Sequence, residues 1–170
     1  AYARGLLAGI QRSVREHEPW TVFLPEHGRG TPPLESLARW QGDGVIARIE
    51  TPATAAVLGS LRDERGVPIV DVSAGGLLPG VPCVETDDAA IAKLAVDHFL
   101  DRDFRSFAFL GDARFRWSDN RCRGFVDLLA GRGHDVHVFR SSSAADADDE
   151  SIAAWLRDLP KPLALLACYD

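Results

Sequence analysis

Ser106-Phe107-Ala108-Phe109-Leu110-Gly111-Asp112-Ala113-Arg114-Phe115-Arg116-Trp117-Ser118 decides how the remaining sequence is read. Ser106 to Leu110 is nearly all apolar, as a strand buried on both faces should be, and Gly111 is expected to end it. Ser118 is expected to cap a helix reaching Ala130, which Gly131 and Gly133 then stop. An apolar strand passing through a loop into an amphipathic helix is the repeating unit of a parallel α/β sheet.

The same alternation extends in both directions. Downstream lie a strand at Val136 to Phe139, a helix at Asp149 to Leu159 and a strand at Leu163 to Ala167. Ile152, Trp155, Leu156 and Leu159 share one face of that helix. Upstream, Thr86-Asp87-Asp88 precedes a helix from about Ala89 to Asp101, with Asp87 as its cap. Val81 to Val84 is a short extended piece, Val67 to Val72 a strand, and Pro52 opens a helix to about Asp63. Val45 to Ile49 is a strand launched by Gly42-Asp43-Gly44, Leu34 to Trp40 a short helix, and Thr21 to Leu24 a short strand. Leu6, Leu7, Ile10 and Val14 recur at helical spacing, which predicts a helix over Tyr2 to Glu16. The fold class is therefore α/β with parallel sheets covered on both faces.

Composition narrows the function. The chain has 170 residues, 46% hydrophobic and 26% charged, with a net charge of −6. This is a globular composition, and its acidity argues against stand-alone nucleic-acid binding, which needs clustered Lys and Arg. No apolar run approaches the roughly 20 residues of a membrane span. Cys83, Cys122 and Cys168 form no CxxC pair, so they read as reduced, buried thiols of a cytosolic protein rather than a zinc or redox site. Asp146 to Glu150 reads as a solvated loop and helix cap. The chain contains no Met and starts at Ala1, its first helix lacks a preceding strand, and its last strand lacks a following helix. Truncation at both ends is the expectation, and no retained signal peptide is expected.

No GxGxxG, GxxxxGK[ST] or GxSxG motif is present, so neither a cofactor nor an enzymatic reaction is expected. His134 and His137 flank a turn rather than share a helix face, and no metal is expected there. Ligands of doubly wound folds sit beyond the carboxyl ends of strands, which points to the Gly111–Ser118 loop. A sugar offers apolar C–H faces to aromatic rings and hydroxyls to polar groups. Phe115 and Trp117 are candidate platforms, and Arg116 and Arg121 candidate donors. The alternative makes Trp117 a hydrophobic staple and pairs Arg121 with Asp119 or Asp127. Asp170, also beyond a strand end, is either a hydroxyl acceptor or a helix cap. Arg4, with Tyr2, would follow a missing first strand to the same end, or belong to an ordinary first helical turn. Arg48 ends a strand and points either to the cleft or to solvent.

Ser118-x-x-Arg121-x-x-Gly124-Phe125 resembles the SxxRxxGF segment of lactose-repressor-type and periplasmic sugar-binding folds. With Arg116-Trp117 before it, the segment is similar to the sensor domains of bacterial xylose operon regulators. Gly42-Asp43-Gly44-Val45-Ile46-Ala47, Val67-Pro68-Ile69-Val70, Thr86-Asp87-Asp88 and Ala154-Trp155-Leu156-x-x-Leu159-Pro160 extend the likeness collinearly. The resemblance implies a two-lobed type I periplasmic-binding-protein fold with Rossmann-like lobes. The first lobe would cover residues 1–105 and the second 106–170. It implies a cytoplasmic regulator in which a sugar, a pentose such as xylose, binds between lobes at Arg4, Phe115, Arg116, Trp117, Arg121, Tyr169 and Asp170. Tyr169 stands where related repressors often carry Asn. DNA would be bound through an AraC-like module outside this chain, and an exposed lobe face would mediate a homodimer. The rival readings are a secreted sugar-binding protein of a transporter and an α/β enzyme.

Overall fold

The computed structural model describes residues 2–17, 19–24, 37–141 and 149–168. The elements are α1 (Tyr2–Glu16), β1 (Val45–Ala47), α2 (Pro52–Arg65), β2 (Ile69–Asp71), α3 (Asp88–Leu100), β3 (Ser106–Asp112), α4 (Arg116–Ala130), β4 (Val136–Ser141), α5 (Asp149–Asp158) and β5 (Leu163–Ala167). They build two parallel sheets, one of β1 and β2 and one ordered β4-β3-β5. Among the described residues no helix is long and apolar enough to cross a membrane.

The first unit forms around α2. Thr51 is extended and its Oγ1 accepts from the Thr54 amide at 3.1 Å, while Pro52 occupies the first turn, where its missing N–H costs nothing. Gly66, at φ +66°, ends the helix in the left-handed conformation that glycine adopts without penalty. Between these stops, Ala55, Leu58 and Leu61 face Ile49, Val67, Ile69 and Leu78 in one core.

The second unit is denser. Phe107 and Phe109 of β3 are fully buried against Cys122, Phe125 and Leu129 of α4 and Ala92 and Val96 of α3. Asp87 caps α3 as expected, its Oδ1 accepting from the Ala90 amide at 2.9 Å. Packing therefore groups α3 with the second sheet, although α3 lies on the first-lobe side of the expected division at Arg105. Apolar side chains, rather than chain order, decide which sheet a connecting helix covers.

Several local expectations change. Gly111 does not end β3, because β4 runs alongside to pair Gly111 with Arg140 and Asp112 with Ser141. A glycine is still required at 111, since a Cβ there would come within 2.8 Å of the Phe109 ring. Helix α4 starts at Arg116, so Phe115 rather than Ser118 sits at its N-cap. Thr21 to Leu24 forms no strand, and Val22, Phe23 and Leu24 are exposed. The extended piece at Val81 to Val84 is reduced to one parallel bridge, Cys83 with Asp71. Of the expected helix at Leu34 to Trp40, only residues from Leu37 onward are described, and Asp146 to Ala147 and Asp148 also lie outside the described residues. Helix α1 forms as its periodicity predicts, yet none of its described side chains is buried; Leu6, Leu7, Ile10 and Val14 are half-covered.

Candidate functional site

The carboxyl end of β3 carries a buried acid. Asp112, 1% exposed, accepts from the Arg114 amide at 3.0 Å and from Arg114 Nε at 2.9 Å, while its other oxygen takes Nη2 at 2.5 Å. The Asp112 amide donates to Ser118 Oγ at 2.9 Å. This two-sided tie folds the strand–helix loop tightly, and it is the work Ser118 does in place of the expected cap. A carboxylate buried this far is tolerable because the forked guanidinium and an amide supply its hydrogen bonds.

The loop then presents a ladder of cations and rings. The Arg114 guanidinium lies 5.3 Å from the Phe115 ring centre. Phe115 stacks on Trp117 with ring centres 5.4 Å apart and planes 19° off parallel. The Arg121 guanidinium lies 5.3 Å from Trp117. Such contacts fix ring orientation and favour cations over the ring faces. Trp117 is also half-buried against the core of the second unit.

Arg121 is engaged elsewhere than expected. It pairs neither with Asp119 nor with Asp127; Nε and Nη2 donate to Asp88 Oδ1 at 3.2 and 2.9 Å, and Nη1 donates to the Cys168 carbonyl at 2.6 Å. Asp119 instead faces Arg140 at 3.5 Å. One side chain thereby joins the start of α3, the first turns of α4 and the residue after β5. Sequence separation hid this pair, because Asp88 reads locally as part of a capping triplet.

The first unit has a buried acid of its own. Asp71, 2% exposed at the end of β2, accepts from the Ser73 amide at 2.8 Å and lies 2.6 Å from Ser73 Oγ. Ser73 Oγ in turn accepts from the Gly75 amide at 3.2 Å. This holds the loop through Gly75 and Gly76 in place, and Gly76 meets Arg116 of the second unit: a Cβ on Gly76 would lie 2.6 Å from Arg116 Nη1. Arg116 is exposed and makes no hydrogen bond or ion pair among the described residues.

Four expected site residues, Phe115, Arg116, Trp117 and Arg121, are thus neighbours. Arg4 is exposed on α1, and among the described residues no hydrogen bond or ion pair joins it to that loop. Tyr169 and Asp170 lie outside the described residues. Arg48 is exposed beside Glu50. Asp71, Ser73, Gly76, Asp88 and Asp112 were not singled out as site residues, although Asp112 and Asp71 each fall at the carboxyl end of an apolar strand, a signal that was available. No grouping of His, Cys, Asp and Glu suited to a metal occurs among the described residues.

Residues 96–170 match a family described as a periplasmic binding protein-like domain. Over 98% of its length the chain superposes, at 26% identity and a TM-score of 0.77, on the structure of a xylose-binding transcription activator. This is a type I periplasmic-binding-protein-like, LacI-like fold. A LacI transcriptional regulator from Rhodococcus shares the LacI-like fold over 79% of the chain and half of its own, with 27% identity and a TM-score of 0.63. The xylose operon regulatory protein of Haemophilus influenzae is 23% identical over 99% of the chain and 45% of its own length. The chain spans less than half of that regulator and 43% of the activator's structure. All three relatives are regulators by name.

The LacI-like second unit also governs thiol reactivity. Burial pushes the Cys122 and Cys168 thiols above their ordinary value of 9.0, whereas Cys83, expected to be buried like them, is exposed. Iodoacetamide at about pH 8 is expected to label Cys83 first and the other two only after unfolding. Peptide mass spectrometry checks the order, and equal labelling of all three in the folded protein would contradict it. Both buried thiols keep their protons where the unfolded chain loses them. Their contribution to stability is full below pH 9.0 and is lost as pH rises through the raised folded values.

Proposed function

We propose that this chain is the effector-binding part of a sugar-responsive transcription regulator, with a pentose, D-xylose first, as the effector. The observation that carries this reading is the loop at the carboxyl end of β3, where Phe115 stacks on Trp117 and the intervening Arg116 is exposed, with no hydrogen bond or ion pair among the described residues. A loop that offers aromatic rings and an exposed guanidinium suits a ligand with hydroxyls and C–H faces. The xylose-binding activator with the same fold supports the choice of sugar.

On this reading the lobes cover residues 1–105 and 106–170, with α3 packed on the second sheet. Arg116 and Trp117 contact the sugar, Phe115 backs Trp117, and Arg121 orders the site from behind. Arg4, Tyr169 and Asp170 remain candidate contacts. Sugar bound between the lobes favours one closure state in proportion to its differential affinity. An AraC-like module outside this chain then binds DNA, in a cytoplasmic homodimer.

Calorimetric titration of the intact protein with D-xylose, L-arabinose and D-ribose tests the reading. D-xylose is expected to bind, and Arg116→Ala to weaken it about tenfold, the order of one charge-assisted hydrogen bond. Arg116 is the informative position because it is exposed and its loss leaves the core intact. Unchanged affinity in Arg116→Ala removes the site assignment.

A further inference from the structure

The contacts of the loop between β3 and α4 run in one series. Asp112 holds the Arg114 guanidinium, Arg114 lies over Phe115, Phe115 stacks on Trp117, and Trp117 carries Arg121, which Asp88 holds. The series ends on a buried acid at each side, while the two rings between are half-buried and Arg114 is exposed. Side chains this open ordinarily sample several rotamers. Arg114 is restrained because both Asp112 oxygens take it, Oδ1 from Nε at 2.9 Å and Oδ2 from Nη2 at 2.5 Å. Such a fork fixes the plane of a guanidinium as well as its position. Asp112 is fixed in turn by the sheet: it pairs with Ser141 of β4, and the next amide, Ala113, donates to the Ser141 carbonyl at 2.8 Å.

We propose that Arg114, aimed by Asp112, is a positioning residue for the Phe115–Trp117 stack. The guanidinium restrains the Phe115 ring and Phe115 restrains Trp117, so the aromatic surface is set before a ligand arrives. The inference deepens the proposed sugar site and, in its ligand part, rests on that reading. Arg114 acts through the rings: it removes conformations that a ligand would otherwise have to remove on binding. Lysine at 114 keeps the charge but replaces a planar fork by a point donor. It cannot hold both Asp112 oxygens and also lie along the Phe115 ring.

The test is a double-mutant cycle of Arg114→Lys, Phe115→Leu and their combination, read in two ways. Without ligand, heteronuclear NMR follows the indole N–H of Trp117, assigned by its loss in Trp117→Phe. The stacked Phe115 ring sets that signal's position through its ring current. Arg114→Lys is expected to move the Trp117 signal and leave those of Trp20, Trp40 and Trp155 in place. In the Phe115→Leu background the lysine is expected to add no further movement. A Trp117 signal that stays put, that moves equally in both backgrounds, or that moves together with the other three overturns the positioning role. In D-xylose calorimetry of the intact protein, Arg114→Lys is expected to weaken binding about fivefold, with little further loss in the Phe115→Leu background. Unchanged affinity overturns the ligand part. Absence of heat from the unmodified protein overturns the sugar reading instead, and the spectra still decide whether Arg114 positions the stack.

Discussion

Phe125→Ala is expected to destabilise the protein by about 3–5 kcal/mol. Phe125 is fully buried, and its ring lies 6.2 Å from both Phe99 and Phe109. It is where α3, β3 and α4 meet, so no single neighbour can move in to fill the space. The lost ring contributes transfer free energy, and the cavity that remains adds to the cost. For a chain of this size the corresponding fall in Tm is on the order of 10 °C. Leu94→Ala is the control, because Leu94 is 70% exposed on α3, and its effect should stay within about 0.5 kcal/mol. Thermal and denaturant unfolding measure both, and similar shifts for the two variants would refute the central place given to Phe125.

Asp88→Ala follows, at about 3–5 kcal/mol, for an electrostatic reason. Asp88 and Arg121 are 9% and 13% exposed at the side chain, so the alanine variant strands a guanidinium away from water. The Lys93–Asp97 pair on the same helix is solvated, and Lys93→Ala is expected to cost only about 0.3–0.5 kcal/mol. The combined variant Asp88→Ala, Arg121→Met removes the stranded charge and should regain much of the loss. If Asp88→Ala proves as mild as Lys93→Ala, the pair is solvated in solution. The same arithmetic explains why Arg121 is a poor probe of ligand binding: its removal disturbs the joint between α3, α4 and the end of β5 before any ligand is considered.

The elements were largely legible because their signals are local. Thr51-Pro52 and Gly66 bracket α2 by capping chemistry, and Asp87 marks the start of α3 through its own side chain. Where the reading failed, the deciding partner was distant. Thr21 to Leu24 has strand composition, but a strand needs a neighbour to pair with, and exposed Val22, Phe23 and Leu24 have none among the described strands. Gly111 looks like a terminator until β4 is laid beside it. The site behaved the same way. The crowding of Arg114, Phe115, Arg116 and Trp117 is visible in the sequence, whereas the link from Arg121 to Asp88 spans 33 positions and has no local trace.

By itself the sequence determined the α/β class, the parallel strands, the helix caps and the loop on which cations and aromatic rings gather. Those follow from apolar periodicity and from side chains that bond their own backbone a few residues away. Only the tertiary structure decided that α3 covers the second sheet, that Arg121 is tied to Asp88 and Cys168, and that Arg116 is left to face Gly76. A guanidinium takes whichever partner folding brings within about 3 Å, and that choice is made by packing between elements.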